Sequence, residues 1–129
     1  MKILDGKGAV LGRLASFAAK QALKGEDIIV VNCKEIIITG RRKFTEENFR
    51  RKRGRVGTAQ KGPKVSRLSH IIVKRAIRGM LPEHRWGRGR EAFKRIKCYP
   101  DVPKEFESQE KITFNDNKTN FIKIRDISK

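Results

Sequence analysis

The sequence predicts an α/β fold, a single compact domain in which helices flank a mainly parallel sheet. A short extended run at residues 2–5 is followed by a helical pattern and then by Ile-Ile-Val-Val at residues 28–31. A continuous β-branched run without polar alternation is typical of a strand that is covered on both faces, as in a parallel sheet. Strand, helix and strand joined by short links favour a right-handed βαβ unit.

The length of the chain allows one hydrophobic core. With 129 residues, of which 37% are hydrophobic, folding buries roughly two-thirds of the surface of the unfolded chain. We expect an α/β body at residues 1–103 and a C-terminal extension at residues 104–129, where the charges nearly balance, with 6 Lys and Arg against 5 Asp and Glu. Possible strands at residues 111–114 and 121–124 flank an Asn-Asp-Asn turn, which predicts a possible hairpin.

The first helix is predicted at residues 12–24 and ends at Gly25. One face of its helical wheel is apolar and consists of Leu11, Leu14, Ala15, Ala18, Ala19 and Ala22. The opposite face carries Arg13, Lys20 and Lys24. The helix should therefore pack on the sheet and expose its cations. A second apolar run at residues 36–39 predicts a further strand of the same pattern.

A second helix is predicted where the basic part of the chain begins. Thr45 is placed to be its N-cap, and Phe44 and Phe49 are placed to form a hydrophobic staple. The helix then continues into the cations at residues 50–53. The glycine-containing stretch at residues 54–66 is predicted to be a loop.

An amphipathic pattern predicts a third helix at residues 66–80. Arg67, Lys74 and Arg78 fall close together on its polar side, which predicts a cationic ridge. A short helix at residues 89–97 is expected to lead into the last strand of the body.

Positive charge is concentrated in the middle of the chain. Residues 41–97 contain 20 Lys and Arg against 4 Asp and Glu, so they carry +16 of the net +18. The cations of a segment this basic repel one another. Such a segment persists in a folded protein only when a partner supplies dense negative charge, and a polyphosphate backbone is the usual source. A merely solvated surface normally mixes both signs. Nucleic acid is therefore the predicted partner.

Arginine exceeds lysine in this segment by 13 to 7, and guanidinium groups suit bidentate contacts with phosphate. The predicted RNA-binding residues are Arg13, Arg41, Arg42, Lys43, Arg50, Arg51, Lys52, Arg53, Arg55, Lys61, Lys64, Arg67, Lys74, Arg78, Arg85, Trp86, Arg88, Arg90 and Lys94. Trp86 has two interpretations that stay open. Its indole either stacks on an unpaired base or is a partly buried anchor beside Pro82.

Other functions find little support in the sequence. Gly6 and Gly8 open a G-x-G pattern, yet Leu11 stands where a dinucleotide-binding turn needs a small residue. No serine or cysteine has a nucleophile-elbow sequence, and the chain has only two histidines for a zinc site. Cys33 and Cys98 lie in apolar stretches without CxxC spacing, which predicts buried reduced thiols. We expect no enzymatic activity, no cofactor and no metal.

The sequence has no apolar stretch of the length that a signal peptide or a membrane span requires. We therefore expect a soluble, unexported protein that works in the cytoplasm without a membrane partner.

Four stretches together resemble one known family. They are Leu-Gly-Arg-Leu-Ala-Ser at residues 11–16, the apolar run at residues 31–40, Arg-Gly-Met-Leu-Pro at residues 78–82, and the run at residues 89–99 with Ala-Phe-Lys-Arg-Ile-Lys-Cys-Tyr. In this combination the chain resembles the universal large-subunit ribosomal protein thirteen family, in its archaeal and eukaryotic branch, over residues 1–103.

The resemblance implies a compact α/β fold, a place on the outer part of the large ribosomal subunit, and binding to large-subunit ribosomal RNA during and after assembly. It implies neighbouring ribosomal proteins as further partners and no catalysis, and no homo-oligomer is expected. It marks Arg13, residues 41–43 and residues 78–82 as family positions. Contacts in the loop at residues 54–66 are inferred from charge alone. Two alternatives stay open, a free basic nucleic-acid chaperone and, less favoured, a nucleotide-binding enzyme.

Overall fold

The computed structural model describes residues 1–58, 61–114 and 119–128. Its elements follow one another along the chain as β1 (Lys2–Asp5), α1 (Leu11–Leu23), β2 (Ile28–Val31), β3 (Ile37–Thr39), α2 (Arg42–Arg53), α3 (Ser69–Gly79), α4 (Gly87–Lys94), β4 (Ile96–Cys98), β5 (Ile112–Thr113), β6 (Phe121–Lys123) and α5 (Ile124–Ile127).

The main sheet has four parallel strands in the order β4, β2, β1, β5. β1 pairs with β2 along its whole length, from Lys2 beside Ile28 to Asp5 beside Val31. On its other side β2 pairs with β4, where Ile28 lies beside Ile96. All four residues of β2 are buried, as the apolar run without polar alternation predicts. The predicted α/β class with a mainly parallel sheet is confirmed.

Helix α1 connects the two central strands and forms the middle of the core. Its buried face consists of Leu14, Ala15, Ala18, Ala19 and Ala22, as predicted, while Leu11 is half-buried. Both α3 and α4 pack against α1, and its small alanine side chains leave room for them. The helix ends just before Gly25, whose φ of +98° favours glycine.

The described C-terminal strands do not pair with each other, in contrast to the possible hairpin. β5 adds to β1 as a parallel strand, with Leu4 beside Ile112. β6 instead pairs antiparallel with β3, with Ile38 beside Ile122. β3 therefore belongs to a separate two-stranded sheet. Apolar patterning marks the faces of a strand but does not identify its neighbour, which explains why the sequence suggested other partners.

Buried isoleucines and ion pairs attach the end of the chain to the body. The buried side chains are Ile122, Ile124 and Ile127. Glu35 accepts hydrogen bonds from Lys123 Nζ at 2.6 Å and from Arg125 Nη1 at 2.9 Å. The bond from Lys123 lowers the pKa of Glu35 below its ordinary value, although partial burial opposes this effect. Residues 119–128 are thus packed into the fold.

Helix α2 begins earlier than predicted. Arg41 precedes its first residue, and Thr45 lies inside the first turn, so Thr45 is not the N-cap. The Thr45 hydroxyl instead donates a hydrogen bond to the Arg41 carbonyl oxygen at 3.2 Å. Phe44 is exposed and does not form the predicted staple with Phe49. A threonine hydroxyl can bond forward as a cap or back to a carbonyl group of the preceding turn. Thr45 is buried and makes the second of these bonds.

The boundaries of α3 and α4 also differ from the prediction. α3 begins three residues later, at Ser69, and leaves Leu68 exposed in front of it. α4 begins two residues earlier than predicted and ends three residues earlier. Ile96, which lies within the predicted helix, is instead a buried residue of β4. In segments this short, the same apolar positions fit a helix face or a strand face.

Gly89 of α4 makes a close approach to the preceding turn. A Cβ atom at this position would lie 2.4 Å from the Pro82 carbonyl oxygen and 2.5 Å from that of Glu83. We expect Gly89→Ala to destabilise the protein by about 1–3 kcal/mol, because backbone atoms must move to admit the methyl group. Equilibrium unfolding in urea measures this difference.

Gly12 supplies the matched control for this prediction. It lies within α1, and a Cβ atom there would meet no atom within 4 Å. Gly12→Ala should therefore stabilise the protein by about 0.5–1 kcal/mol. Equal stabilities of Gly89→Ala and the unmodified protein would contradict the close approach.

The two cysteines are free thiols that lie next to each other in the fold. Cys33 is buried and Cys98 is half-buried. A hydrogen bond between the two side chains and the burial of Cys33 both raise the pKa of Cys33 above its ordinary value. A thiol with a raised pKa stays protonated and unreactive. Cys33 therefore acts as a small apolar side chain of the core.

Candidate nucleic-acid interface

Among the described residues, almost all cations of residues 41–97 have no carboxylate within salt-bridge distance. Of the 20 Lys and Arg in this segment, only Arg42 has a carboxylate within salt-bridge distance in the part of the chain that the structure describes. Its partners are Glu46 at 3.2 Å and Asp126 at 3.9 Å. Outside the segment, Lys123 and Arg125 both pair with Glu35. The fold therefore leaves the repulsion within the basic segment unrelieved.

Most of the predicted contact residues are on the surface. Sixteen of the nineteen are exposed, and Arg53, Lys74 and Arg78 are half-buried. Exposed cations keep their hydration in the free protein and can exchange it for phosphate contacts. The structure thus makes the predicted side chains accessible, and it gathers many of them into two groups.

The first group, the α2 cluster, consists of Arg50, Arg51, Lys52 and Arg53 in the last turn of α2 together with Arg55 and Arg67 in the following loop. The last turn of a helix carries partial negative charge on its free carbonyl groups and so favours cations. A cavity of about 340 Å³ beside the cluster is lined by Lys52, Arg55 and Arg75 as well as by apolar side chains such as Phe49 and Ile72. Positive charge and apolar surface thus lie side by side.

A second cavity, of about 330 Å³, lies beside the α2 cluster and is named the arginine pocket here. It is lined by Glu46, Phe49, Arg50, Arg53, Arg67, Asp126 and Ile127. Burial lowers the pKa of Arg53, and the positive charge of Arg67 lowers it further. Two guanidinium groups therefore repel each other across this pocket.

The second group, the α4 cluster, lies on the turn before α4 and on α4 itself. Trp86 directly precedes α4 and is 66% exposed. This exposure gives no support to the buried-anchor interpretation and leaves the indole available for stacking. Arg85, Arg88, Arg90 and Lys94 are exposed around it. Arg90 Nη1 donates a hydrogen bond to the Arg85 carbonyl oxygen at 3.5 Å, which joins the turn to the helix.

The predicted ridge of Arg67, Lys74 and Arg78 is wrong as a single feature. Arg67 lies in the chain before α3 and lines the arginine pocket. Lys74 Nζ lies 5.0 Å from the centre of the Phe93 ring on α4. This cation–π contact helps to join α3 to α4. The three residues do not form one ridge, because α3 begins only at Ser69 and Arg67 is therefore not on the helix.

The described residues contain no group of three or more His, Cys, Asp and Glu side chains that could hold a metal ion. Within the same residues, no helix combines the length and the apolar character that crossing a bilayer requires.

Comparison with known proteins identifies the family. The family model described as ribosomal protein L13 matches residues 1–105, most of the chain.

The chain belongs to the ribosomal protein L13 family.

Curated relatives of this L13-family chain are archaeal proteins named large ribosomal subunit protein uL13. The chain is 40% identical to that of Methanocaldococcus jannaschii, and the match covers 100% of this chain and 96% of the relative. It is 37% identical to that of Thermoplasma volcanium, with 100% and 96% covered. It is 44% identical to that of Methanosarcina barkeri, with 90% and 82% covered. The similarity to the first two therefore continues beyond residue 105.

Membership of the L13 family confirms several sequence predictions. A ribosomal protein is a structural component of a cytoplasmic particle, the ribosome, and is not an enzyme. The resemblance, the absence of catalytic activity and the cytoplasmic location are therefore correct.

The predicted contact residues of this L13-family chain leave out three cations of residues 41–97, Arg75, Arg95 and Lys97. Arg75 on α3 is exposed and lines the cavity beside Lys52 and Arg55. The helical wheel of residues 66–80 drew attention to Arg67, Lys74 and Arg78 instead. The signal that could have found Arg75 was its place in the same basic segment, without any assumption about the helix face.

Proposed function

We propose that this chain is a structural constituent of the large ribosomal subunit that binds large-subunit ribosomal RNA through its phosphates and supports assembly. The observation that carries the proposal is the basic segment in which only Arg42, among the described residues, has a carboxylate partner. The names of the archaeal relatives support the choice of the large subunit. Neighbouring ribosomal proteins are the further partners.

In this proposal, the parallel sheet and α1 support the binding surface, and the α2 cluster and the α4 cluster present their cations to the RNA. Recognition rests mainly on RNA shape and backbone, because the deep, narrow major groove of A-form RNA excludes side chains. Arginine forks bind phosphate oxygens in pairs, which fixes orientation as well as adding affinity.

Trp86 is the residue best suited to contact a base. Its indole is 66% exposed and lies among cations that would hold the neighbouring phosphates. An unpaired base can stack on such a ring, with a contribution of about 1–3 kcal/mol.

The test is binding of the purified protein to protein-free large-subunit ribosomal RNA over a series of salt concentrations. Small-subunit ribosomal RNA is the control, because it has the same backbone and similar helices. We expect tighter binding to the large-subunit RNA, with the logarithm of affinity falling by ~0.7 to 0.9 for each phosphate contact per decade of salt. Equal affinity for both RNAs at every salt concentration would favour a free basic chaperone and contradict the proposal.

A second measurement tests whether the protein is part of the large ribosomal subunit in the cell. Tagged protein in a low-salt lysate should sediment with large subunits. Sedimentation only at the top of the gradient would contradict a place in the subunit.

A further inference from the structure

The arginine pocket has an unusual balance of charge. It brings Arg53, near the end of α2, next to Arg67, which is 14 positions further along the chain and lies just before α3. The pocket also contains two carboxylates, Glu46 and Asp126. Both of these pair with Arg42 and lie within salt-bridge distance of no other cation in the described residues. Within the described residues, neither Arg53 nor Arg67 therefore has a carboxylate within salt-bridge distance.

Arg53 is also incompletely bonded. Its Nη2 donates a hydrogen bond to the carbonyl oxygen of Ile127 at 2.6 Å. Its Nε is buried and has no hydrogen-bond partner in the described part of the molecule. Buried polar groups in folded proteins nearly always have a partner, and an unpartnered donor on a charged group is especially unfavourable. No backbone or side-chain group of the described residues supplies an acceptor to this Nε.

An acceptor that carries negative charge would satisfy both conditions. It would bond the unpartnered guanidinium donors and would remove the repulsion between Arg53 and Arg67. A phosphate group offers several acceptor oxygens, and guanidinium groups bind it in bidentate geometry. The cavity of about 330 Å³ has room for one such group.

We propose that the arginine pocket binds one backbone phosphate of the ribosomal RNA between Arg53 and Arg67. This inference rests on the proposed function and adds a discrete site to it. Because the Nε of Arg53 is buried in the free protein, binding of a phosphate oxygen to it requires the Arg53 side chain to rotate. Because Arg53 also holds the Ile127 carbonyl group, the bound phosphate lies next to the C-terminal helix α5 and links RNA binding to the docking of that helix.

The first test compares Arg67→Ala with Lys20→Ala. Both residues are exposed and have no side-chain ion pair or hydrogen bond within the described residues, Lys20 lies outside residues 41–97, and both variants lose one positive charge. Arg67→Ala should bind large-subunit RNA about tenfold more weakly, which corresponds to the loss of one hydrogen bond to a charged group. Lys20→Ala should lose less. In the absence of RNA, Arg67→Ala should be at least as thermally stable as the unmodified protein, because a repulsion has been removed.

The second test observes the Arg53 Nε–H group directly by ¹⁵N-correlated NMR. Addition of inorganic phosphate at constant ionic strength should shift this resonance in the full-length protein and in Lys20→Ala, but not in Arg67→Ala. Large-subunit RNA should shift the same resonance and should compete with inorganic phosphate. A response to free phosphate without a response to RNA would overturn the proposal.

The outcomes separate this inference from the proposed function. If the unmodified protein prefers large-subunit RNA and Arg67→Ala behaves like Lys20→Ala, the phosphate site is wrong and the proposed function stands. If the unmodified protein shows no preference for large-subunit RNA, the proposed function itself fails. A loss of thermal stability in Arg67→Ala would indicate a structural role for this arginine and would also overturn the site.

Discussion

Removal of residues 119–129 is expected to leave the protein unfolded. The deleted segment contains Ile122, Ile124 and Ile127, which are 1%, 0% and 4% exposed. Full burial of each isoleucine contributes about 1.5–3 kcal/mol, and a whole domain is stable by only about 5–15 kcal/mol. The deletion also removes the partner strand of β3. Circular dichroism and thermal unfolding of the truncated chain provide the measurement.

Point variants keep this prediction testable if the truncated chain cannot be purified. Ile124→Ala should cost about 2–5 kcal/mol, as expected for a large-to-small change in a core. Phe121→Ala, three residues earlier on the same segment, should cost clearly less, because Phe121 is 39% exposed. A truncated chain with the melting temperature of the full-length protein would establish that the segment is a separate appendage.

The same experiment tests the predicted division at residues 103 and 104. That division was inferred from the change to balanced charge after Pro100 and Pro103. Unfolding of the truncated chain would mean that the C-terminal residues are needed for the body to fold. Glu35 is a further sign of this dependence, since it lies in the body and binds both Lys123 and Arg125.

Replacement of Arg50, Arg51, Lys52 and Arg55 by glutamine is expected to have the largest effect on RNA binding. All four residues are exposed members of the α2 cluster. If each contacts one phosphate, the slope of log affinity against log salt should become shallower by about 3 units. Stability should change by no more than about 1 kcal/mol, because glutamine keeps a good helix propensity. Arg53 stays in place to hold the Ile127 carbonyl group.

The matched control replaces Lys7, Lys20, Lys24 and Lys104 by glutamine. These residues are exposed and lie outside residues 41–97, so the two variants have the same net charge. In the control variant, the slope of log affinity against log salt should stay close to that of the unmodified protein. Equal losses in both variants would mean that overall charge, and not the α2 cluster, determines binding, as in a free basic chaperone.

Part of the candidate site could be read from the sequence, and Trp86 and Arg67 illustrate the limits. Composition alone pointed to residues 41–97, and the structure leaves sixteen of the nineteen predicted residues exposed. The sequence left the environment of Trp86 open, because exposure depends on what the rest of the chain covers. It placed Arg67 on a helix face, whereas the helix begins after it. Charge is a local property of the sequence, but the neighbours of a charge are not.

The same distinction between local patterns and their neighbours applies to the fold. The sequence by itself determined the parallel sheet and α1, because the β-branched run of β2 and the alanine-rich face of α1 are local patterns that only burial explains. Tertiary structure alone decided that β3 pairs with β6 and that Arg53 meets Ile127, which is 74 positions away. Periodicity specifies which face of an element is apolar. The choice of a partner depends on the competition among all apolar faces of the folded chain, and no single segment contains that information.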